Sequence, residues 1–108
     1  MEIINLNTIP DGHSPVAHVS QNDEGRVTRF NLFDGVIPFV LDGTESVKLR
    51  IRKPNGVTSE IPIVNTADSY VDITTTKQLT DVAGRVYCKL RINDLGTKSF
   101  YYFVESQP

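Results

Sequence analysis

The sequence predicts an all-β fold, an antiparallel β-sandwich of seven or eight short strands with one short helical turn. Apolar and polar residues alternate with period two in several short windows, which puts successive side chains on opposite faces of an extended chain. Asp-Gly and Asn-Gly pairs punctuate those windows at turn-like intervals. No window keeps the i, i+3, i+4, i+7 spacing of a long amphipathic helix. With 108 residues, 39% of them hydrophobic, the chain can build one modest core, so residues 1–108 read as a single domain.

Taken in order, Ile3, Ile4 and Leu6 form an N-terminal strand, and Asp11 to Ser20 reads as a surface segment carrying His13 and His18. Thr28, Phe30 and Leu32 face one way and Arg29 and Asn31 the other, the pattern of a half-buried strand. Turns at Asp34-Gly35 and Asp42-Gly43 bracket a short strand from Pro38 to Leu41. Val47, Leu49 and Ile51 alternate with Lys48, Arg50 and Arg52, and Lys53-Pro54-Asn55-Gly56 then turns the chain into a hairpin partner from Val57 to Ile63. Pro62 cannot donate a ladder hydrogen bond, so that partner belongs at a sheet edge. Tyr70 to Ile73 forms a further strand, and Thr75 with Gln78 has the spacing of a capping box ahead of the helical turn. Gly84 opens the clearest strand, in which Val86, Cys88, Leu90 and Ile92 alternate with Arg85, Tyr87, Lys89 and Arg91. Asn93-Asp94-Leu95-Gly96 turns into the last strand, Ser99 to Glu105, with aromatics on both faces. The expected core is Phe30, Leu32, Val47, Leu49, Ile51, Val86, Cys88, Leu90 and Ile92.

The chemistry excluded is broad. Eleven Lys and Arg against thirteen Asp and Glu give a net charge of −2, no global field for nucleic acid or an anionic membrane surface. There is no apolar run of roughly 18 residues and no signal-peptide pattern at Met1 to Asn5. A single cysteine, Cys88, allows neither an internal disulfide nor a multi-cysteine metal cage, and its inward position makes it a poor nucleophile. His13 and His18 have no further ligand at a metal-binding spacing. The carboxylates Asp23-Glu24, Asp42 with Glu45, and Asp68 with Asp72 lie mostly beside glycine or in expected turns, which explains them without catalysis. No phosphate loop, nucleophile elbow or zinc-protease motif is present, so neither catalytic residues nor a cofactor is assigned. Asp81 to Cys88 resembles the tyrosine corner of antibody domains, but Tyr87 directly precedes Cys88, and the chain lacks tryptophan and a second cysteine.

One pattern stands out from a merely solvated surface. Lys48, Arg50 and Arg52 point outward from one strand, and Arg85, Tyr87, Lys89 and Arg91 from another; side by side they make one strongly basic face. Arginine and tyrosine are enriched at interfaces, so Arg50, Arg52, Arg85, Tyr87, Lys89 and Arg91 form a candidate docking surface for an acidic partner, and His18 is a further candidate interface residue. The N-terminal segment through His18 is a second route, by strand addition. Tyr87, Tyr101 and Phe103 suggest a rival role as a carbohydrate platform.

Ser20, Gln21, Asp23, Gly25, Phe30 and Leu32 match, residue by residue, an S-Q-x-D-x-G-x-x-x-x-F-x-L signature; Gly35, Pro38 and Leu41 match a G-x-x-P-x-x-L stretch. Val47 to Gly56 and Leu79 to Val86 follow as a K-P-N-G hairpin and an L-T-x-x-A-G-x-V corner. In this order, from about Asn5 to Val104, the set resembles the N-terminal domain of the phage baseplate upper protein (BppU) family. The resemblance implies an immunoglobulin-like sandwich without catalysis, a virion component that anchors accessory or receptor-binding proteins to the tail baseplate. It implies other virion proteins as partners and a homo-oligomer in the assembled particle; related domains also serve on head fibres. Family members usually continue into a helical or coiled segment that carries the distal assembly, whereas this chain ends at Ser106-Gln107-Pro108, so it reads either as an excised N-terminal anchor domain or as a short prophage or virion protein that uses the same anchor without the arm. The resemblance is densest beside the N-terminal segment, which favours that segment as the docking edge.

Overall fold

In the computed structural model, which describes residues 2–9, 14–22, 24–81, 83–93 and 97–107, the alternating windows become strands. They are β1 (Glu2–Asn7), β2 (Val16–Ser20), β3 (Val27–Asp34), β4 (Ile37–Pro38), β5 (Ser46–Arg52), β6 (Thr58–Pro62), β7 (Tyr70–Thr74), β8 (Gly84–Asn93) and β9 (Thr97–Gln107), with one helical turn, α1 (Lys77–Thr80). Two mixed sheets result. The larger has the order β2-β9-β8-β5-β6; in the smaller, β3 pairs with β1, β4 and β7.

The sheets share one core. Leu49, Leu90 and Phe100 lie opposite one another across β5, β8 and β9, as do Ile51, Cys88 and Tyr102. All are buried, together with Phe30, Leu32, Val47, Val86 and Ile92, so every expected core position faces inward. Leu6, Val71 and Ile73 join from the smaller sheet, and the Phe30 ring meets Tyr102 at 4.4 Å between centroids across the sandwich.

The expectation of a wholly antiparallel sandwich of seven or eight strands is corrected to nine strands, among the described residues, in mixed sheets. β1 runs parallel to β3 and β2 parallel to β9. Alternation says which side chains face inward but nothing about strand direction, and parallel pairing needs only a long connection, here supplied by the chain between the paired strands. β2 itself lies where a surface loop is expected; Ala17 and Val19 point into the core and His18 outward. The strand expected from Pro38 to Leu41 is limited to Ile37–Pro38, although Leu41 is buried.

Local chemistry accounts for the joints. Gly56 donates its N–H to the Lys53 carbonyl at 2.9 Å and has φ 86°, a type I turn closed by a left-handed glycine between β5 and β6. Pro62 ends β6 at the sheet edge, as the missing donor requires. The cap of α1 is Thr76, without a side-chain capping bond, rather than Thr75. The Thr75 hydroxyl instead accepts the Arg26 N–H at 2.9 Å, tying the helical turn to the start of β3. The Asn93 to Gly96 turn lies largely outside the described residues.

Leu90, at the centre of the larger sheet and fully enclosed, makes a direct test of this register. Leu90→Ala should lower the unfolding free energy by about 2–5 kcal/mol in denaturant titration. A loss below about half a kilocalorie would mean that Leu90 is not in the core.

Candidate docking face

Because β5 and β8 are neighbours, the cations that alternate with core residues fall on one surface. The outer side of the larger sheet carries Lys48, Arg50 and Arg52 on β5 and Arg85, Lys89 and Arg91 on β8, against the carboxylates Glu60 and Glu105. Six cations and two carboxylates thus share a face on a chain of net charge −2. Tyr87 lies within it, between Arg52 on β5 and Phe103 on β9. His18 stands exposed on β2 beside Glu105. All seven candidate interface residues are therefore brought to the same surface. His13 and Asp23 lie outside the described residues.

The charges are incompletely matched. Glu60 is shared by the Lys48 ammonium and the Arg50 guanidinium, each at 3.6 Å, and Glu105 meets Arg85 at 3.4 Å. Such exposed pairs contribute at most about 1 kcal/mol each. Across the β5–β8 ladder, Lys48 stands directly opposite Arg91, and Arg50 opposite Lys89. Like charges in directly opposed positions are destabilising. The Arg91 Nε is buried with no hydrogen-bond acceptor among the described residues.

Toward β9 the face becomes aromatic. The Tyr87 ring lies 6.0 Å from Tyr101 and 5.7 Å from Phe103, centroid to centroid. Arg85 sits 5.5 Å from the Phe103 ring and Lys89 5.6 Å from the Tyr101 ring. These contacts hold the long cationic side chains over the rings at about 0.5–1 kcal/mol each in exposed settings. Burial raises the Tyr87 phenol above its ordinary pKa.

The smaller sheet's outer side is electrostatically closed. Arg29 forks onto Asp72 at 2.8 and 3.0 Å and stacks over Tyr70 at 3.9 Å. That bidentate contact holds the Asp72 carboxyl below the usual carboxylate range. Asp72 is thus a strand residue, as expected from Tyr70 to Ile73, held in an ion pair. Asp42 and Glu45 do build a turn: Asp42 accepts the Thr44 N–H and hydroxyl, and Glu45 accepts the Asp42 and Gly43 N–H groups. Among the described residues, no group of three or more His, Cys, Asp or Glu could hold a metal ion. No helix among them is long and apolar enough to cross a membrane. Sequence reasoning missed Glu60 and Glu105, since cross-strand register is not visible in either strand alone.

No protein-family model and no curated protein sequence matches the chain. Among solved structures, it is similar to the N-terminal domain of phage TP901-1 ORF48, with a TM-score of 0.63 at 15% identity, over 97% of this chain and 98% of that one. The chain has the fold of the BppU N-terminal domain. This agrees with the resemblance read from about Asn5 to Val104, and the likeness runs nearly end to end in both chains.

Cys88 faces away from the basic face, and burial pushes its thiol up to about 12. Its cross-strand partner Tyr102 is likewise raised by burial. Both groups keep their protons in the folded chain and lose them more readily in the unfolded one. Their stabilisation is therefore complete below the free thiol's pKa of about 8.5 and is lost as pH climbs from there. Denaturant titrations should show stability falling above about pH 8.5, with a shallower fall in Cys88→Val. Fast native-state reaction of Cys88 with a thiol reagent at neutral pH would contradict its placement.

Proposed function

We propose that this chain is a non-enzymatic virion structural domain, which anchors an accessory or receptor-binding assembly to the tail baseplate of a phage or prophage particle. The observation that carries this reading is the end-to-end likeness to the N-terminal domain of phage TP901-1 ORF48. Its partners are other virion proteins, its place is the tail baseplate, and it works in several copies per particle; attachment to a head fibre is the nearest variant. An immunoglobulin-like connectivity is part of the proposal. The order β2-β9-β8-β5-β6, with its extra strand beyond the central pair, supports it, while parallel β1 against β3 is a departure.

The docking surface is the face of Arg50, Arg52, Arg85, Tyr87, Lys89 and Arg91, with His18 at its edge, and its counterpart is an acidic protein surface. Two directly opposed cation pairs support this, because an opposing carboxylate layer relieves them. The N-terminal strand-addition route is continuous with it, since β2 is the edge strand of the same sheet. Deleting the chain up to Ser20 would remove Leu6, Ala17 and Val19 from the core, so point substitutions separate docking from folding. Arg50→Glu combined with Arg91→Glu should fold normally and fail to enter particles, and wild-type docking should weaken as salt rises from about 0.05 to 0.5 M. Unchanged incorporation of the double variant would overturn the basic face. Salt-insensitive docking would assign attachment to the β2 edge.

The contiguous rings of Tyr87, Tyr101 and Phe103 favour a second reading, a carbohydrate platform. Glycan-array binding that disappears in Tyr101→Ala would support it over the anchor.

A further inference from the structure

The tip of the β5–β6 hairpin holds the chain's one Asn-Gly pair, Asn55-Gly56. Both residues and the flanking Pro54 and Val57 are exposed, and nothing lies within 4 Å of where a Gly56 Cβ would stand. Beyond the tip, β6 pairs with β5 alone among the described residues. Both backbone bonds that close the tip end on Lys53. Its carbonyl accepts the Gly56 N–H at 2.9 Å, and its own N–H donates to the Val57 carbonyl at 2.9 Å. The mostly enclosed Lys53 ammonium in turn binds Asp81, past the end of α1, at 3.1 Å.

The Asn55 amide is set up for attack by its own backbone. Its Oδ1 accepts the Val57 N–H at 3.1 Å. A donor on that oxygen stabilises the negative charge it gains when Cγ is attacked. The attacking atom is the Gly56 nitrogen, and glycine brings no Cβ to obstruct it. The Asp-Gly pairs of the described residues differ. Asn7 Oδ1 holds the Gly35 N–H at 3.0 Å and Glu45 holds the Gly43 N–H at 3.2 Å, while Asp34 and Asp42 offer carboxyl groups, poorer electrophiles than an amide.

We propose that Asn55 is a site of spontaneous modification, at which the Gly56 nitrogen closes on the Asn55 side chain and water then opens the ring. The nitrogen gives its proton to solvent and bonds to Cγ; the side-chain NH2 takes up a proton and leaves as ammonia. Water then cleaves the succinimide. Breaking the main-chain carbonyl's bond to nitrogen leaves isoaspartate, and breaking the Cγ bond leaves aspartate. Water enters and ammonia departs, with nothing oxidised or reduced. The Gly56 bond to Lys53 must open first, so the rate follows fraying of this exposed tip. Either product adds a carboxylate where β5 ends. Isoaspartate also lengthens the backbone by one methylene, which displaces both bonds to Lys53 and loosens the start of β6. The site is independent of the docking face and of the virion reading.

Peptide mapping of the intact folded protein, aged in mildly alkaline buffer, tests this. Asn65 is the internal control: its Oδ1 likewise accepts an N–H two residues on, from Ala67 at 2.9 Å, but Thr66 follows it. Isoaspartate with a lesser share of aspartate should accumulate at Asn55 at least several-fold faster than at Asn65. Asn55→Gln, whose longer side chain needs a larger ring, should form no such product. Amide hydrogen exchange in β6 should be faster in the aged protein than in the fresh one, and unchanged in aged Asn55→Gln. Conversion no faster than at Asn65, or seen only in denaturant, would overturn the site. Aspartate without isoaspartate would overturn the ring-closing route, and unchanged β6 exchange after full conversion would overturn the effect on the hairpin.

Discussion

The molecule depends on one constraint, the register of β8 between β5 and β9. Placing Leu90 between Leu49 and Phe100 puts Ile51, Cys88 and Tyr102 in the next inward rung. The same register sets Arg50 against Lys89, and Lys89 against Tyr101, on the outside. A slip of one residue would bury these charges and expose the whole leucine and isoleucine set. Burying unpaired charge is far more costly than any contact on the outer face can return. Core burial therefore fixes the arrangement of the basic face, and the repulsion between its opposed cations is tolerated because the core outweighs it.

That repulsion is small but informative. At exposed positions it amounts to a fraction of a kilocalorie per pair in water, against the several kilocalories contributed by each large buried side chain. Glu60 and Glu105 relieve part of it at the margins, leaving the centre cationic. The opposite sheet handles the problem differently, with Arg29 fully engaged by Asp72 and Tyr70. Two faces of one small sandwich thus differ in whether their charges are satisfied internally.

The strands with strict alternation were legible in the sequence: β3, β5, β8 and β9 carry their inward residues where the period places them, and Pro62 marks its edge. What was not legible has physical causes. β2 buries Ala17 and Val19 between a proline and a turn, and alanine gives too weak a signal against that background. Parallel pairing of β1 and β2 is a property of connections, which side-chain periodicity does not record. Thr75 and Thr76 are equally good caps by composition, and only the hydrogen bond to Arg26 decides between them. The basic face was legible because it lies on the strands with the strongest alternation.

The two edges of the larger sheet are unlike. At β6, Pro62 withdraws a donor, and Lys48 and Arg50 share Glu60 along the rim, devices that discourage strand addition. At β2 neither is present: Val16 to Ser20 contains no proline and no lysine, and its far side pairs with nothing in the described residues. An acidic partner drawn to the cations of β5 and β8 would meet the rings of β9 next and the open backbone of β2 last. Long-range attraction, apolar contact and directional hydrogen bonding therefore lie in sequence across one sheet. The range of each force falls in the same order, so on the proposed reading the face would orient a partner before its edge engaged it.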